Sequence, residues 1–168
     1  ELFSLLGTNG AGKTTTIKML STLILPTSGE VEINNLDLVK DSSKIKEIIN
    51  ISPQETAVAS NLTVLENLYF MAGIYQIPNK EDKIKELIKL FKLEEVLKQK
   101  AKTLSGGYQR KLSIAISLIN NPKILFLDEP TLGLDVISRK ELWDIIKSKK
   151  GNMTIILTTH YMEEAEKL

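Results

Sequence analysis

A glycine-rich segment over residues 7–14, with the sequence GTNGAGKT, limits the folds open to this chain more than any other feature. It matches the pattern G-x-x-x-x-G-K-[ST]. The apolar run Leu2 to Leu6 precedes it and the residues after Thr14 have helical spacing, so we expect a strand, a tight turn and a helix. Glycines let the backbone wrap around an anion, and the positive end of the following helix dipole points to the same place. The segment therefore predicts a phosphate-binding loop.

The chemistry of this loop predicts a bound nucleoside triphosphate with a divalent cation. We expect the Lys13 ammonium to bridge the β and γ phosphates, and the Thr14 hydroxyl to ligate Mg²⁺. A second part of the same site is predicted where the apolar run Ile124 to Leu127 leads into Asp128 and Glu129. Asp128 can hold Mg²⁺ and Glu129 can accept a proton from a water in line with the γ phosphate. The predicted nucleotide-binding residues of the loop are Asn9, Gly10, Ala11, Gly12, Lys13, Thr14 and Thr15.

The order of the remaining elements predicts an α/β fold with a mostly parallel sheet. Apolar runs at 123–127 and 154–158 are typical of buried parallel strands, and a helix is expected between them over 138–147. This helix should bury the stripe Leu142, Ile145 and Ile146, with Trp143 beside it. The alternating residues 30–33 predict a hairpin strand, and hence a small antiparallel β portion; 48–51 predicts a further strand. Helical patterns fill residues 65–97, where one apolar stripe is formed by Leu65, Leu68, Tyr69 and Ala72. We therefore expect a core formed by residues 1–54 and 121–168, and an inserted helical lobe at residues 55–120.

Composition excludes several classes of function. The chain has no cysteine and a single histidine, which rules out disulfides, zinc-thiolate sites, cysteine nucleophiles and multi-histidine metal clusters. A net charge of +1 gives no electrostatic case for a dedicated nucleic-acid binder, so no direct nucleic-acid partner is expected. The apolar stretches are far shorter than the roughly 20 residues that span a bilayer. Because the chain begins at Glu1 without Met and stops at Leu168 within a helical pattern, we expect a domain cropped at both ends.

A second glycine turn, in the segment LSGGYQR from Leu104 to Arg110, precedes another apolar helix. A Ser-Gly-Gly turn at the start of a helix is also an anion-binding device. Both turns of one molecule cannot easily hold the same nucleotide, whereas a head-to-tail pair would let each copy offer its second turn to the other's triphosphate.

This set of motifs resembles the nucleotide-binding domain of ABC transporters, and the resemblance covers nearly the whole chain. The loop at residues 7–14 resembles the Walker A motif, residues 124–129 resemble Walker B with its catalytic glutamate, and LSGGYQR resembles the ABC signature, with Tyr108 where glutamine is common. The resemblance implies a P-loop NTPase sandwich. It also implies nucleotide contacts in trans from the signature residues Ser105, Gly106 and Gly107.

Three further residues receive roles from the resemblance alone. Gln54 matches the Q-loop glutamine, which implies a contact to Mg²⁺ or to the attacking water. Asp135, in Leu132-Gly133-Leu134-Asp135, matches the D-loop and implies a role across the dimer. His160 matches the switch histidine, which implies a hydrogen bond to the γ phosphate. The family's adenine-stacking aromatic lies upstream of Walker A and so before Glu1.

The resemblance implies an ATP-binding subunit that hydrolyses ATP as a homodimer or pseudo-dimer and drives transport through a transmembrane permease subunit. The segment from Thr159 to Ala165 looks most like ATPase subunits of bacterial drug or antibiotic exporters. A cytoplasmic position, peripheral on the inner face of the membrane, is expected.

Three other classes of ATPase or ATP-binding protein share some of these motifs. A DNA-repair or chromosome-associated ATPase separates the two motifs by a long coiled coil, whereas this chain joins them by a compact segment without sustained heptads. A soluble translation-associated ATPase carries two such domains in one chain, and this sequence, which has one, leaves that alternative open. A nucleotide-gated scaffold would not need Glu129 and His160.

Overall fold

The computed structural model describes residues 1–168, which form seven α-helices and six β-strands. The strands are β1 (Leu2–Leu6), β2 (Glu32–Ile33), β3 (Leu36–Asp37), β4 (Ile49–Ser52), β5 (Ile124–Asp128) and β6 (Thr154–Thr159). The helices are α1 (Lys13–Leu20), α2 (Ser42–Ile48), α3 (Val64–Ile74), α4 (Lys80–Phe91), α5 (Gly106–Ser117), α6 (Val136–Lys149) and α7 (Met162–Lys167). Short 3-10 turns lie at Glu94–Val96 and Ala101–Thr103.

The main sheet has four parallel strands in the order β1-β6-β5-β4. Leu6 is opposite Thr159, and Asp128 is opposite Thr158, so the carboxyl ends of these strands lie level with one another. Parallel α/β sheets bind ligands at this edge. The register therefore places the segments that follow β1, β4, β5 and β6 next to each other.

The predicted antiparallel portion is the hairpin of β2 and β3. Its turn residues Asn34 and Asn35 have φ angles of 52° and 60°, the left-handed conformation that asparagine tolerates better than most residues. Ile33 packs with residues of α1, α2, β4 and β5 in a small second core. The predicted α/β fold class, with its parallel sheet, antiparallel portion and helices between strands, is confirmed.

The helical region and the sheet share one hydrophobic core. A cluster of 23 buried residues runs from Leu68 on α3 and Phe91 on α4 through Leu112 on α5 to Leu125 on β5 and Leu157 on β6. Helix α5 thus packs with helices of the predicted lobe and also with strands of the predicted core. The division into a core and a helical lobe remains a prediction.

Some details differ from the sequence-based expectations. Tyr69 was assigned to the buried stripe of α3, but it is 39% exposed, because Val64 and Leu68 take the inner face. Ile48 ends α2, so β4 begins one residue later than expected. Trp143, expected beside the apolar stripe of α6, is itself buried. None of the helices combines the length and apolar character that crossing a bilayer requires.

Candidate nucleotide-binding site

A cavity of about 390 Å³ lies at the carboxyl edge of the sheet, between the residues 7–14 loop and the segments after β4, β5 and β6. Its lining is polar apart from Leu132. The residues that line it are Asn9, Gly10, Gly12, Lys13, Thr14, Thr15, Gln54, Glu129, Leu132 and His160. Nine of these ten are residues that the sequence predicted for the site.

The loop adopts the conformation that its glycines permit. Gly10 and Gly12 have φ angles of 82° and 86°, which L side chains rarely adopt. Gly12 is the N-cap of α1 and carries no side chain, so no side-chain group competes for the first N–H groups of the helix. These free donors and the helix dipole favour an anion at the cavity floor.

Lys13 supplies the positive charge of the site. Its Nζ donates to the carbonyl oxygens of Gly7 at 2.9 Å and Thr8 at 3.0 Å, which holds the side chain along its own loop. The same nitrogen lies 3.5 Å from Oε1 of Glu129. Because both side chains are about nine-tenths buried, little water screens this pair.

Asp128 and Thr14 form an oxygen-rich corner beside the cavity. Thr14 Oγ1 donates to Oδ1 of Asp128 at 3.2 Å, and Thr158 Oγ1 donates to the same oxygen. Hydroxyl and carboxylate oxygens are ligands that Mg²⁺ prefers, and Mg²⁺ commonly binds through one or two protein groups together with substrate phosphates. No group of three or more His, Cys, Asp or Glu side chains exists that could hold a metal alone. The donors present thus fit a magnesium ion that arrives with a nucleotide.

Glu129 lies between the two basic groups of the cavity. Its Oε2 is 3.2 Å from Nδ1 of His160, and its Oε1 faces Lys13. The contact to His160 does not have hydrogen-bond geometry, and Nδ1 of His160 is buried without another partner. The Glu129 backbone has a φ of 45°, so this residue adopts the left-handed conformation.

The second glycine turn and Asp135 lie outside this cavity. Ser105 is the N-cap of α5, and Ser105 and Gly106 are exposed. Gly107 packs on α6: an added Cβ there would lie 3.0 Å from Ser138 Oγ. Asp135 caps α6 and accepts hydrogen bonds from Ser138, which lower the pKa of its carboxyl. Predicted site residues thus fall on two surfaces, the cavity and an exposed surface formed by residues 105–107 and 135–137, which we call the signature surface.

Comparison with known proteins identifies the family. The family model described as ABC transporter matches residues 1–132. This chain belongs to the ABC transporter family. The assignment of the cavity as the nucleotide site, with the residues 7–14 loop as its Walker A motif, stays a prediction.

Named relatives agree with this assignment. The chain is 43% identical over 170 residues to the Homo sapiens protein named Phospholipid-transporting ATPase ABCA3, an alignment that covers 100% of the chain and 10% of that protein. It is 41% identical to the Escherichia coli (strain K12) protein named Probable multidrug ABC transporter ATP-binding protein YbhF, covering 99% of the chain and 29% of that protein. The chain thus spans a small part of the length of these relatives.

A solved structure matches the ABC fold. It is described as the dimeric structure of a post-hydrolysis state of the ATP-binding cassette MJ0796 bound to ADP and Pi. The TM-score is 0.88 at 29% identity, with 99% of this chain and 78% of that chain covered. The predicted ABC transporter family and its α/β fold are confirmed.

Sequence reasoning missed several residues around the ABC site. Thr158 holds Asp128 from the neighbouring strand, and Leu132 adds the one apolar wall of the cavity. Glu164 on α7 is buried and accepts from Thr131 at 2.8 Å and from Trp143 at 2.9 Å, which ties the segment after His160 to the segment after Glu129. Pairing between strands could have pointed to Thr158, but no local pattern marks the contacts of Glu164.

Proposed function

We propose that this domain binds MgATP in the cavity and hydrolyses its γ-phosphate bond as one half of a head-to-tail dimer. The observation that carries the proposal is the convergence of Lys13, Thr14, Gln54, Glu129 and His160 on one cavity, although these residues come from four separate segments of the chain. Phosphoryl transfer depends mainly on positioning and on electrostatic stabilisation. The convergence supplies both.

In this proposal the residues 7–14 loop holds the phosphates. The free N–H groups at the start of α1 and the main chain around Gly10 and Gly12 donate to phosphate oxygens. Lys13 turns its Nζ from the carbonyls of Gly7 and Thr8 toward the β and γ phosphates. Asn9, Ala11 and Thr15 complete the predicted loop contacts.

Thr14, Asp128 and Gln54 would hold the magnesium ion, directly or through water. Support comes from the 3.2 Å contact of Thr14 with Asp128 and from the position of Gln54 in the cavity lining. The ion would supply neutralisation of charge on the phosphate oxygens.

Glu129 and His160 have different roles in hydrolysis in this proposal. Glu129 accepts a proton from the attacking water, whose oxygen forms a bond to the γ phosphorus while the bond to the bridging oxygen of ADP breaks. His160 donates a hydrogen bond to the γ phosphate. The 3.2 Å approach of their side chains supports joint action on the same water and phosphate.

The signature surface would face the nucleotide of a second ATPase domain. Residues 105–107 contact the γ phosphate held by that copy, and Asp135 lies across the interface. The side chains of Val136 and Ile137 are 65% and 74% exposed, so the surface carries apolar area that a partner could cover. A ligand that moves a dimer from mostly open to mostly closed must contribute on the order of 5 kcal/mol of differential binding. Several charge-assisted hydrogen bonds to a triphosphate can supply it.

Opening and closing of the dimer would drive transport through a transmembrane permease subunit or domain. Its docking surface is proposed between the Gln54 segment and α3, where the aromatic side chains Tyr69, Phe70 and Tyr75 are exposed. In this proposal the domain lies on the cytoplasmic face of a membrane. The name of the Escherichia coli relative favours an exporter. Glu129 and His160 in one cavity disfavour a scaffold without catalysis.

The direct test is ATP turnover by the full-length protein that contains this chain. Wild type should release phosphate from ATP, and Glu129→Gln should bind ATP but lower kcat by about 100-fold or more, because a general base contributes that much. Glu163→Gln, an exposed carboxylate on α7, is the matched control and should retain wild-type kcat. Full activity of Glu129→Gln, or no hydrolysis by wild type, would contradict the proposal.

A further inference from the structure

Arg110 is a buried cation to which the nucleotide chemistry described so far gives no role. It lies in the first turns of α5, five residues after Ser105, and is 4% exposed. Its guanidinium reaches back to the carboxyl ends of β4 and β5, where the segments of Gln54 and Glu129 begin. The side chain therefore joins the helix of the signature turn to the catalytic edge of its own chain.

All five N–H groups of this guanidinium donate to main-chain carbonyl oxygens. Nε donates to Pro130 at 2.8 Å; Nη1 donates to Pro53 at 2.5 Å and to Gln54 at 3.2 Å; Nη2 donates to Asp128 at 2.7 Å and to Glu129 at 3.0 Å. Nη1 thus binds the Gln54 segment, whereas Nη2 binds the Glu129 segment.

The buried charge is unfavourable in itself. Burial lowers the pKa of Arg110 to about 10, while the negative charges of Asp128, Glu164 and Glu129 oppose that shift. The group therefore remains protonated at neutral pH. Its hydrogen-bond partners are dipoles rather than carboxylates, and apolar side chains fill such a space at lower cost in desolvation. Packing alone therefore does not explain why a charged guanidinium, rather than an apolar side chain, is buried at position 110.

The backbone of Glu129 is the part of the site that most needs to be held. Its φ of 45° lies in a region that is unfavourable for a residue with a side chain, and such residues persist only when their surroundings fix them. On one side, its N–H donates to Thr158 O at 3.2 Å and to Thr158 Oγ1 at 3.0 Å. On the other side, its carbonyl oxygen accepts from Arg110 at 3.0 Å and from the Leu132 N–H, within the same turn, at 3.2 Å. Of the groups outside this turn, Thr158 and Arg110 thus fix the two peptide groups of Glu129.

We propose that Arg110 is a positioning residue for hydrolysis, which couples the orientation of α5 to the placement of the Glu129 carboxylate and of the Gln54 segment in the same chain. This inference rests on the proposed ATP hydrolysis. When a second copy's nucleotide engages the turn at Ser105, α5 transmits the displacement through a rigid fork to the group that receives the proton of water. ATP itself touches the loop at residues 7–14, so its affinity does not depend on Arg110.

Arg110→Lys separates charge from geometry. Lysine keeps the positive charge, but its three donors radiate from one nitrogen and cannot span the two segments. We expect kcat to fall by about 10- to 100-fold, since a 1 Å misplacement of a reacting group can cost that much, while KM for ATP stays within about 2-fold.

Lys111→Gln is the matched control. Lys111 neighbours Arg110 on α5 and is also buried, but its partner at 2.6 Å is Glu141 on α6, away from the cavity. The control should lower the melting temperature at least as much as Arg110→Lys and leave kcat within about 2-fold. Equal losses of kcat in both variants would assign Arg110 to general stability and overturn the inference. If the lysine variant does not fold, Arg110→Gln, which also removes the buried charge, takes its place with the same expected split.

A double-mutant cycle with Glu129→Gln tests the route of action. If Arg110 acts through the Glu129 carboxylate, Arg110→Lys should lower single-turnover hydrolysis by less than about 3-fold once that carboxylate is gone. An undiminished 10- to 100-fold loss in that background would overturn the inference. Wild-type kcat in Arg110→Lys would overturn it too, while leaving ATP hydrolysis as the function. An inactive wild type, or full activity of Glu129→Gln alone, would instead remove the proposed function itself.

Discussion

At the scale of single residues, the carboxylate of Glu129 lies between two basic side chains. Lys13 lies 3.5 Å from Glu129 on one side and His160 lies 3.2 Å from it on the other. Two carbonyl oxygens of its own loop hold the Lys13 ammonium beside the cavity. A triphosphate entering the cavity replaces these carbonyls with charged oxygens, which bind an ammonium more strongly.

Lys13→Ala should therefore weaken ATP binding by about 10- to 100-fold, which corresponds to the loss of one or two hydrogen bonds between charged groups. Calorimetric titration of the full-length protein with ATP measures this directly. Lys18→Ala, on the exposed side of the same helix, is the control and should bind ATP as wild type does. Unchanged ATP affinity in Lys13→Ala would refute the assignment of the phosphate loop.

Thr14 tests the magnesium assignment. Thr14→Val removes the hydroxyl but keeps the shape of the side chain, so the Mg²⁺ concentration for half-maximal ATPase activity should rise by about 10-fold or more. Thr14→Ser keeps the oxygen and should stay within about 3-fold of wild type on the same metal titration. Equal metal dependence in both variants would mean that Thr14 is not a ligand.

Much of the site could be predicted at this scale, because the loop at residues 7–14 and the pair Asp128-Glu129 are local patterns whose chemistry follows from residue types. Arg110 could not. An arginine in the second turn of a helix usually points to solvent, and only the fold shows that the carboxyl ends of β4 and β5 lie within its reach.

At the scale of elements, ion pairs join helices that are distant in the sequence. Glu141 on α6 accepts from Lys111 on α5 at 2.6 Å and from Lys92, at the end of α4, at 2.9 Å. These contacts lower the pKa of the Glu141 carboxyl from its usual 4.5, Lys111 contributing most. They connect the helix of the signature turn to the helix that Asp135 caps.

Glu141→Gln should lower the free energy of unfolding by about 1 to 2 kcal/mol at pH 7. A carboxyl whose pKa is lowered by folding contributes stability above its unfolded pKa and loses it as pH falls through the folded value. The difference from wild type should thus be complete at pH 7 and shrink as pH drops below 4.5. Urea denaturation at several pH values checks this, with exposed Glu94→Gln as the control. A difference that does not depend on pH would refute the ion-pair account.

The elements were predictable where their pattern was long or continuous. The apolar run of β5 and the stripe of Leu142, Ile145 and Ile146 on α6 are both buried as expected. Helix α2 was missed, because it has seven residues and buries only Ile45, too little to establish a period. Tyr69 was misplaced since an aromatic at helical spacing is typical of a core, whereas here it lies on the exposed face of α3.

At the scale of the whole molecule, the chain presents two surfaces that complement each other. The cavity is lined by Lys13 and by loop residues whose N–H groups can donate to a triphosphate. The signature surface has exposed N–H groups at the start of α5, beside apolar residues of α6. Predicting two anion-binding turns required only the sequence. Predicting that they lie on different surfaces required the fold, since Ser105 is far from the loop at residues 7–14 in sequence and is absent from the cavity lining.

Ser105→Arg should block closure of the dimer, because a long side chain at the exposed N-cap fills the space that a partner's phosphate requires. We expect ATPase activity to fall by about 100-fold or more, with ATP affinity of the open state within about 3-fold of wild type. Phosphate release and nucleotide binding are measured on the same sample. An exposed control, Lys102→Arg, should retain activity. Wild-type turnover in Ser105→Arg would remove the signature turn from the mechanism.

The most direct measurement is a nucleotide-dependent crosslink between copies. Cysteines replace Ser105 and Asn9 in the Glu129→Gln background of the full-length protein, where ATP is bound but not hydrolysed; this chain has no cysteine of its own. A short thiol-reactive crosslinker should join Cys at 105 of one copy to Cys at 9 of another with ATP, and much less with ADP. A yield that does not depend on nucleotide, or no crosslink between copies with ATP, would contradict the shared nucleotide site.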